Sequence, residues 1–171
     1  MIWKSFLAGL FLSLILPSVT SLGKIAFFIP AIVASIYQKS LSFSLCLAFL
    51  SGFLMDTITS DYDHLGLYTM NYLLITYFIQ KRKNFIASDS WITLPLTACV
   101  FSFLSTLTGM ILVSFFESKS FPAINLKWFF TDFVLMSLLD GFYTFLILLL
   151  PGYLKLLFPR RKKRFSLNRP Y

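Results

Sequence analysis

Long apolar runs separated by short polar gaps dominate the chain. Six runs can be traced: Ser5 to Leu22, Ile25 to Gln38, Leu41 to Ile58, Leu65 to Gln80, Trp91 to Phe116 and Leu126 to Leu150. A helix of about 20 apolar residues crosses a hydrocarbon core about 30 Å thick, and most of these runs approach that length. The second falls short, because at ~1.5 Å per residue it reaches only about 21 Å. It also carries Pro30. It is expected to be a short, tilted or partly broken helix buried against its neighbours, or a re-entrant element. Crossing is favoured, because it keeps the later charge pattern in phase. The prediction is an all-α polytopic membrane protein of six transmembrane helices. A single transmembrane domain covers residues 1–158, and a basic tail covers 159–171.

Composition agrees with this pattern. The chain has 171 residues, is 57% hydrophobic and has a mean hydropathy of +0.78, too apolar for a domain that covers itself with polar residues. The cations are placed asymmetrically. Of 15 Lys and Arg, those at Lys4, Lys39, Lys81, Arg82, Lys83, Lys155, Arg160, Arg161, Lys162, Lys163, Arg164 and Arg169 share alternate gaps, and only Lys24, Lys119 and Lys127 occupy the others. The positive-inside bias then places both termini in the cytoplasm. The net charge of +8 reports topology and not nucleic-acid binding. The first run has the outline of a signal peptide, but the following helices need it as an uncleaved first span.

Several runs carry stripes of small residues, where helices in lipid approach closely. These are Ser5, Gly9, Ser13 and Pro17; Ser44, Ala48, Gly52 and Asp56; and Ser102, Ser105, Thr106 and Gly109. Intramolecular packing is the expected use, with a homodimer or partner-helix interface as the other. Cys46 and Cys99 are read as small buried hydrophobes. Trp and Tyr near the run ends form an interfacial belt, and the 21 Phe supply mainly lipid-facing bulk.

Acids inside apolar runs cost ~2.5–3.5 kcal/mol at the bilayer centre and so demand an explanation. Asp132 and Asp140 fall in the sixth run, about 80° apart at 100° per residue, on one broad inward face. With no Lys or Arg in the apolar runs except Lys127 at the start of the sixth, more than three turns from it, Asp140 must be protonated or hydrogen-bonded to a Ser, Thr or Tyr of another helix. A polar clamp between helices is one reading; a proton, cation or substrate site is the other. Asp63 is placed to cap the fourth helix. His64 reads as a solvated turn residue. Asp140-Gly141 resembles the opening of the intramembrane lipid-head-group transferase motif, but the rest of that motif is absent. Neither a catalytic constellation nor a metal or cofactor site is expected.

Gly52-Phe53-Leu54-Met55-Asp56, then Ser60, then Leu65-Gly66-Leu67-Tyr68, precede a short apolar helix ending in basic residues. This stretch resembles the MreD family of rod-shape-determining membrane proteins. That family carries Gly-x-x-x-Asp at the end of one helix, a short Ser-containing turn and a Leu-Gly pair opening the next. The resemblance extends to length, to the short second helix with Ile29-Pro30-Ala31, and to the basic tail. His64 where proline is common, the acidic turn, and Asp132 and Asp140 depart from it. The resemblance implies a non-enzymatic component of the cell-elongation machinery in the bacterial inner membrane. Its partner would be the bitopic protein MreC, linking MreB filaments to peptidoglycan-synthesising enzymes. Gly52, Asp56, Leu65 and Gly66 would be the motif residues, and the tail Arg160, Arg161, Lys162, Lys163 and Arg164 would attract anionic lipid. The six-helix layout also resembles the substrate-binding subunits of energy-coupling-factor vitamin transporters. Such a subunit, or a small proton-coupled carrier using Asp140, is the alternative.

Overall fold

A short helix with almost no exposed surface forms the centre of the molecule. The computed structural model describes residues 2–19, 26–59, 64–86, 92–116 and 129–149. The elements are α1 (Ile2–Val19), α2 (Ile29–Gln38), α3 (Leu41–Ile58), α4 (Leu67–Ile86), α5 (Thr93–Phe116), a π-helical turn (Phe129–Leu135) and α6 (Met136–Leu148) that continues it. No strand occurs among the described residues. Three helical stretches are long and apolar enough to cross a membrane: Leu41–Ile58, Thr93–Phe116 and Phe129–Leu148. Ile2–Ile15 and Ile29–Gln38 are shorter apolar helices. The described residues are therefore all-helical in their regular structure, with membrane-spanning character.

The central helix is α2, buried at every residue from Ile29 to Ile36. Pro30 lies in its first turn, where a missing N–H costs nothing. Each of the other α-helices packs on it; around it α3 packs on α4, α4 on α5 and α5 on α6. At 10 residues it spans about 15 Å, half of a hydrocarbon core. Its starting level is set by α1. A Cβ on Gly9, near the middle of α1, would lie 2.6 Å from the Phe27 carbonyl oxygen. Phe6, nearer the start of α1, packs on Phe28 with ring centroids 5.4 Å apart. Thus α2 begins at mid-height of α1 and runs back towards the end that carries Lys4. This is the short, buried helix expected of the second run, entered by a turn at Ala26 to Phe28 and not by helix from Ile25.

α3 has the expected bounds, and its stripe of Ser44, Ala48, Gly52 and Asp56 is buried. In α1, Ser5, Gly9 and Ser13 are buried likewise. α4 continues six residues past Gln80, through Lys81, Arg82 and Lys83. Cations at a helix C-terminus oppose the macrodipole favourably, so the basic cluster extends the helix. The Lys81 ammonium lies over the Tyr77 ring and the Arg82 guanidinium over Phe78, 5.9 and 5.7 Å from the centroids. The apolar stems therefore lie along exposed aromatic rings while the charged heads extend past the apolar segment.

Exposed apolar side chains cover the outside, including Phe11, Phe53, Phe78, Phe115 and Phe142, while Phe28 and Phe101 are fully buried in the core. Cys99 is partly buried, but Cys46 is exposed, so only one of the two occupies the interior expected for both. Its position on α3, two residues past Ser44, turns it away from the packed stripe.

Candidate functional site

Two buried acids, Asp56 and Asp140, organise two polar clusters, one closing a hairpin and one closing the bundle. The first lies between α3 and α4. Gly52 removes the side chain where the helices cross: a Cβ there would collide with the Thr69 backbone. One turn on, the buried Asp56 carboxylate takes three donors. Oδ1 accepts the Tyr68 N–H at 3.0 Å, and Oδ2 accepts the Thr69 N–H at 3.0 Å and its hydroxyl at 2.6 Å. These amides belong to the first turn of α4, so Asp56 caps that helix from across the hairpin. Asp63 was expected to do so; it lies outside the described residues, and the Tyr68 and Thr69 amides go to Asp56. Gly66 adopts φ +101°, a left-handed turn that favours glycine. Leu65 projects from this turn, 81% exposed. An apolar groove of about 360 Å³ runs beside the hairpin, lined by Phe49, Phe53, Leu65, Met70 and Leu73, with Asp56 and Thr69 at its polar edge. The parallel rings of Phe49 and Phe53, 6.4 Å apart, form one wall. All four residues of the motif thus belong to one turn-and-crossing unit.

The second cluster centres on Asp140, 2% exposed in α6. Ser102 of α5 donates its hydroxyl to Oδ2 at 2.5 Å, and the Ala26 amide donates to Oδ1 at 3.2 Å. The expected partner from another helix is therefore Ser102, and a backbone amide ahead of α2 is a second one that side-chain arithmetic could not reveal. Around it, Tyr143 donates to the Phe27 carbonyl at 3.3 Å and Ser137 to the Cys99 carbonyl at 2.6 Å. Gly141 allows the α5–α6 approach, because a Cβ there would collide with the Cys99 sulfur. Asp140 joins α6, α5 and the start of α2 at the centre of the bundle. Its carboxylate lies beside the turn that leads into α2.

The stripe on α5 divides its work. Ser102 serves Asp140; Thr106 donates to the Ser102 carbonyl at 3.1 Å; Gly109 is buried in the interface. Ser105 accepts from Asn71 of α4 twice, at 3.0 Å through both its carbonyl and its hydroxyl. Thr108 donates to the Asn71 side-chain oxygen. Asn71 is the residue that sequence reasoning missed. A lone Asn in a run that also contains Thr69 and Thr76 gave little signal, although a buried amide between membrane helices is expected to bond across them.

The ~80° separation projected for Asp132 and Asp140 assumes a regular α-helix, and the Asp132 side chain lies outside the described residues. Residues 129–135 form π-helix, whose i→i+5 turns advance less than 100° per residue, so the helical phase changes before Met136. The tail Arg160, Arg161, Lys162, Lys163 and Arg164 lies outside the described residues, as does the acidic turn at Asp61. Among the described residues, no group of three or more His, Cys, Asp or Glu could hold a metal ion.

In comparisons with known proteins, the chain matches no family model, no curated protein and no solved structure.

Proposed function

We propose that this chain is a non-enzymatic membrane scaffold of the MreD type, a six-span subunit with both ends in the cytoplasm. In this role it binds the transmembrane helix of an MreC-like bitopic protein and so links MreB filaments to peptidoglycan synthesis. The observation that carries the reading is the motif's geometry. Gly52, Asp56 and Gly66 are consumed in building one hairpin, and that hairpin presents Leu65 and an apolar groove on the lipid-facing side. A helix-in-groove contact needs such a surface and no reactive group. The buried acids support it too, because the oxygens of Asp56 and Asp140 are taken up in joining helices.

One observation favours a second reading. A half-length helix whose N-terminus stops at the bundle centre is a feature of secondary transporters. A small carrier, or a substrate-binding subunit of the energy-coupling-factor type, would use Asp140 there.

Affinity purification of the full chain from its native membranes distinguishes the two. The scaffold should bring down a single-span protein with a coiled-coil extramembrane region, and Asp140→Asn should retain that partner. Recovery of an ATPase complex, or a tightly held vitamin released on denaturation, would sink the scaffold. So would solute uptake that Asp140→Asn abolishes.

A further inference from the structure

The seam between α3 and α4 is matched at one end and unmatched at the other. Beside Gly52 the buried Asp56 carboxylate accepts from the Tyr68 and Thr69 amides, and Asn71 donates to Ser105 of α5. These ties gather at residues 68–71 of a helix that runs on to Ile86. Farther along, Thr76 and Gln80 lie within about 20° of Thr69 around α4, and so on the face that meets α3. Both are buried, 0% and 7% exposed, and among the described residues neither Thr76 Oγ1 nor Gln80 Oε1 has a hydrogen-bond partner. Ser51, Thr97 and Thr144 return their hydroxyls to the carbonyl four residues back, whereas Thr76 does not.

An enclosed oxygen without a partner penalises the packed arrangement, because it has given up its bonds to water and received none. Water reaches these two atoms only if the helices part. Little resists that at this end. An apolar side chain that leaves a helix contact for lipid tails loses little, since both surroundings are apolar. The central helix is held separately, by the 2.8 Å bond between the Tyr37 and Thr97 hydroxyls that ties the last turn of α2 to α5. The seam, and not the core, is therefore the place that yields. Since α3 and α4 run antiparallel and cross with Gly52 at Thr69, Thr76 and Gln80 are level with the opening of α3, close to the end of the bundle that carries Lys39 and Lys81.

We infer that α3 and α4 form a hinged pair, fixed at Gly52 and Asp56 and parting at the end that carries Lys39 and Lys81, where Thr76 and Gln80 then bond water. The packed and parted arrangements are two states of one bundle, and the two unmatched oxygens raise the first towards the second. Ser44, on the packed stripe of α3 at the level of Thr76, is wetted with them. The hinge is independent of whether the chain acts as a scaffold or a carrier.

The test uses the full chain in nanodiscs, with Cys46 and Cys99 replaced by alanine and a single reporter, Ser44→Cys or Ser51→Cys. Both serines are 0% exposed and share one face of α3, on either side of the proposed opening. Ser44→Cys should react with a water-soluble methanethiosulfonate faster than Ser51→Cys. A site near a helix end also reacts by fraying, so the deciding readout is a change made across the seam. Thr76→Val with Gln80→Leu removes the unmatched oxygens and should slow the reaction of Ser44→Cys about 5–30-fold, leaving Ser51→Cys as it was. The same two substitutions in the parent chain should raise the thermal unfolding temperature by about 2–4 °C. Equal rates at the two reporters, or a Ser44→Cys rate that the double substitution leaves unchanged, would overturn the inference. So would a lower unfolding temperature, which would show both oxygens bonded in the packed bundle.

Discussion

Two carboxylates inside one bundle make opposite demands on an isosteric amide. Asp56 receives backbone N–H groups on both oxygens, and a backbone N–H cannot reverse its direction. An asparagine there must turn its NH₂ towards one of them, setting donor against donor, so Asp56→Asn should destabilise by about 1–3 kcal/mol. Asp140 receives one N–H and one hydroxyl, and the Ser102 hydroxyl can rotate from donor to acceptor. Asp140→Asn keeps both bonds and should cost less than about 1 kcal/mol, within the range of polar contacts between membrane helices. Thermal unfolding of the two variants in one detergent checks the order, and greater damage from Asp140→Asn would show that its charge, not its hydrogen-bond geometry, holds the bundle together. Ser102→Ala removes the reversible partner and should make Asp140→Asn more costly than it is in the parent chain.

Between helices, a glycine matters according to what it faces. Gly52 faces the Thr69 backbone, which has no rotamer to yield, so Gly52→Ala must separate α3 from α4 and pull Asp56 off the first turn of α4. A loss of about 1–3 kcal/mol is expected, and Gly52→Ala combined with Asp56→Ala should cost less than the two changes added, since both break one junction. Additive losses in thermal unfolding would separate the crossing from the cap. Features of this kind were legible in advance where a local pattern encoded them. The bounds of α3 follow from its apolar run, its packed face from small residues every fourth position, and the need of Asp140 for a hydroxyl partner from the cost of an unpaired acid. The rest depends on contacts between distant segments. That Asp56 takes the Tyr68 and Thr69 amides depends on how closely α3 approaches α4, which no local pattern encodes. The π-helical turn before α6 leaves no mark in hydrophobic spacing, and the use of Asn71 emerges only once Ser105 and Thr108 lie opposite it.

Over the whole molecule, charge and helix height describe the same axis. Lys4, Lys39 and Lys81 are at the end towards which α2 descends from mid-height, while Asp56 and the turn at Leu65 and Gly66 are at the other. Such polarity is what the positive-inside bias produces when every helix is inserted in one consistent sense. It makes orientation testable without knowing the function. In a chain whose Cys46 and Cys99 are replaced by alanine, a cysteine at Asp61 should react with a membrane-impermeant maleimide in intact cells. A cysteine at Lys162 should react only after the membrane is opened. Reversal of both results would invert the bundle and put the hairpin groove's polar edge on the cytoplasmic side, where an extracytoplasmic partner could not reach the exposed Leu65. Equal labelling of both sites in intact cells would mean that one of the three helices between them, α4, α5 or α6, does not cross, because three crossings must leave Asp61 and Lys162 on opposite sides of the membrane.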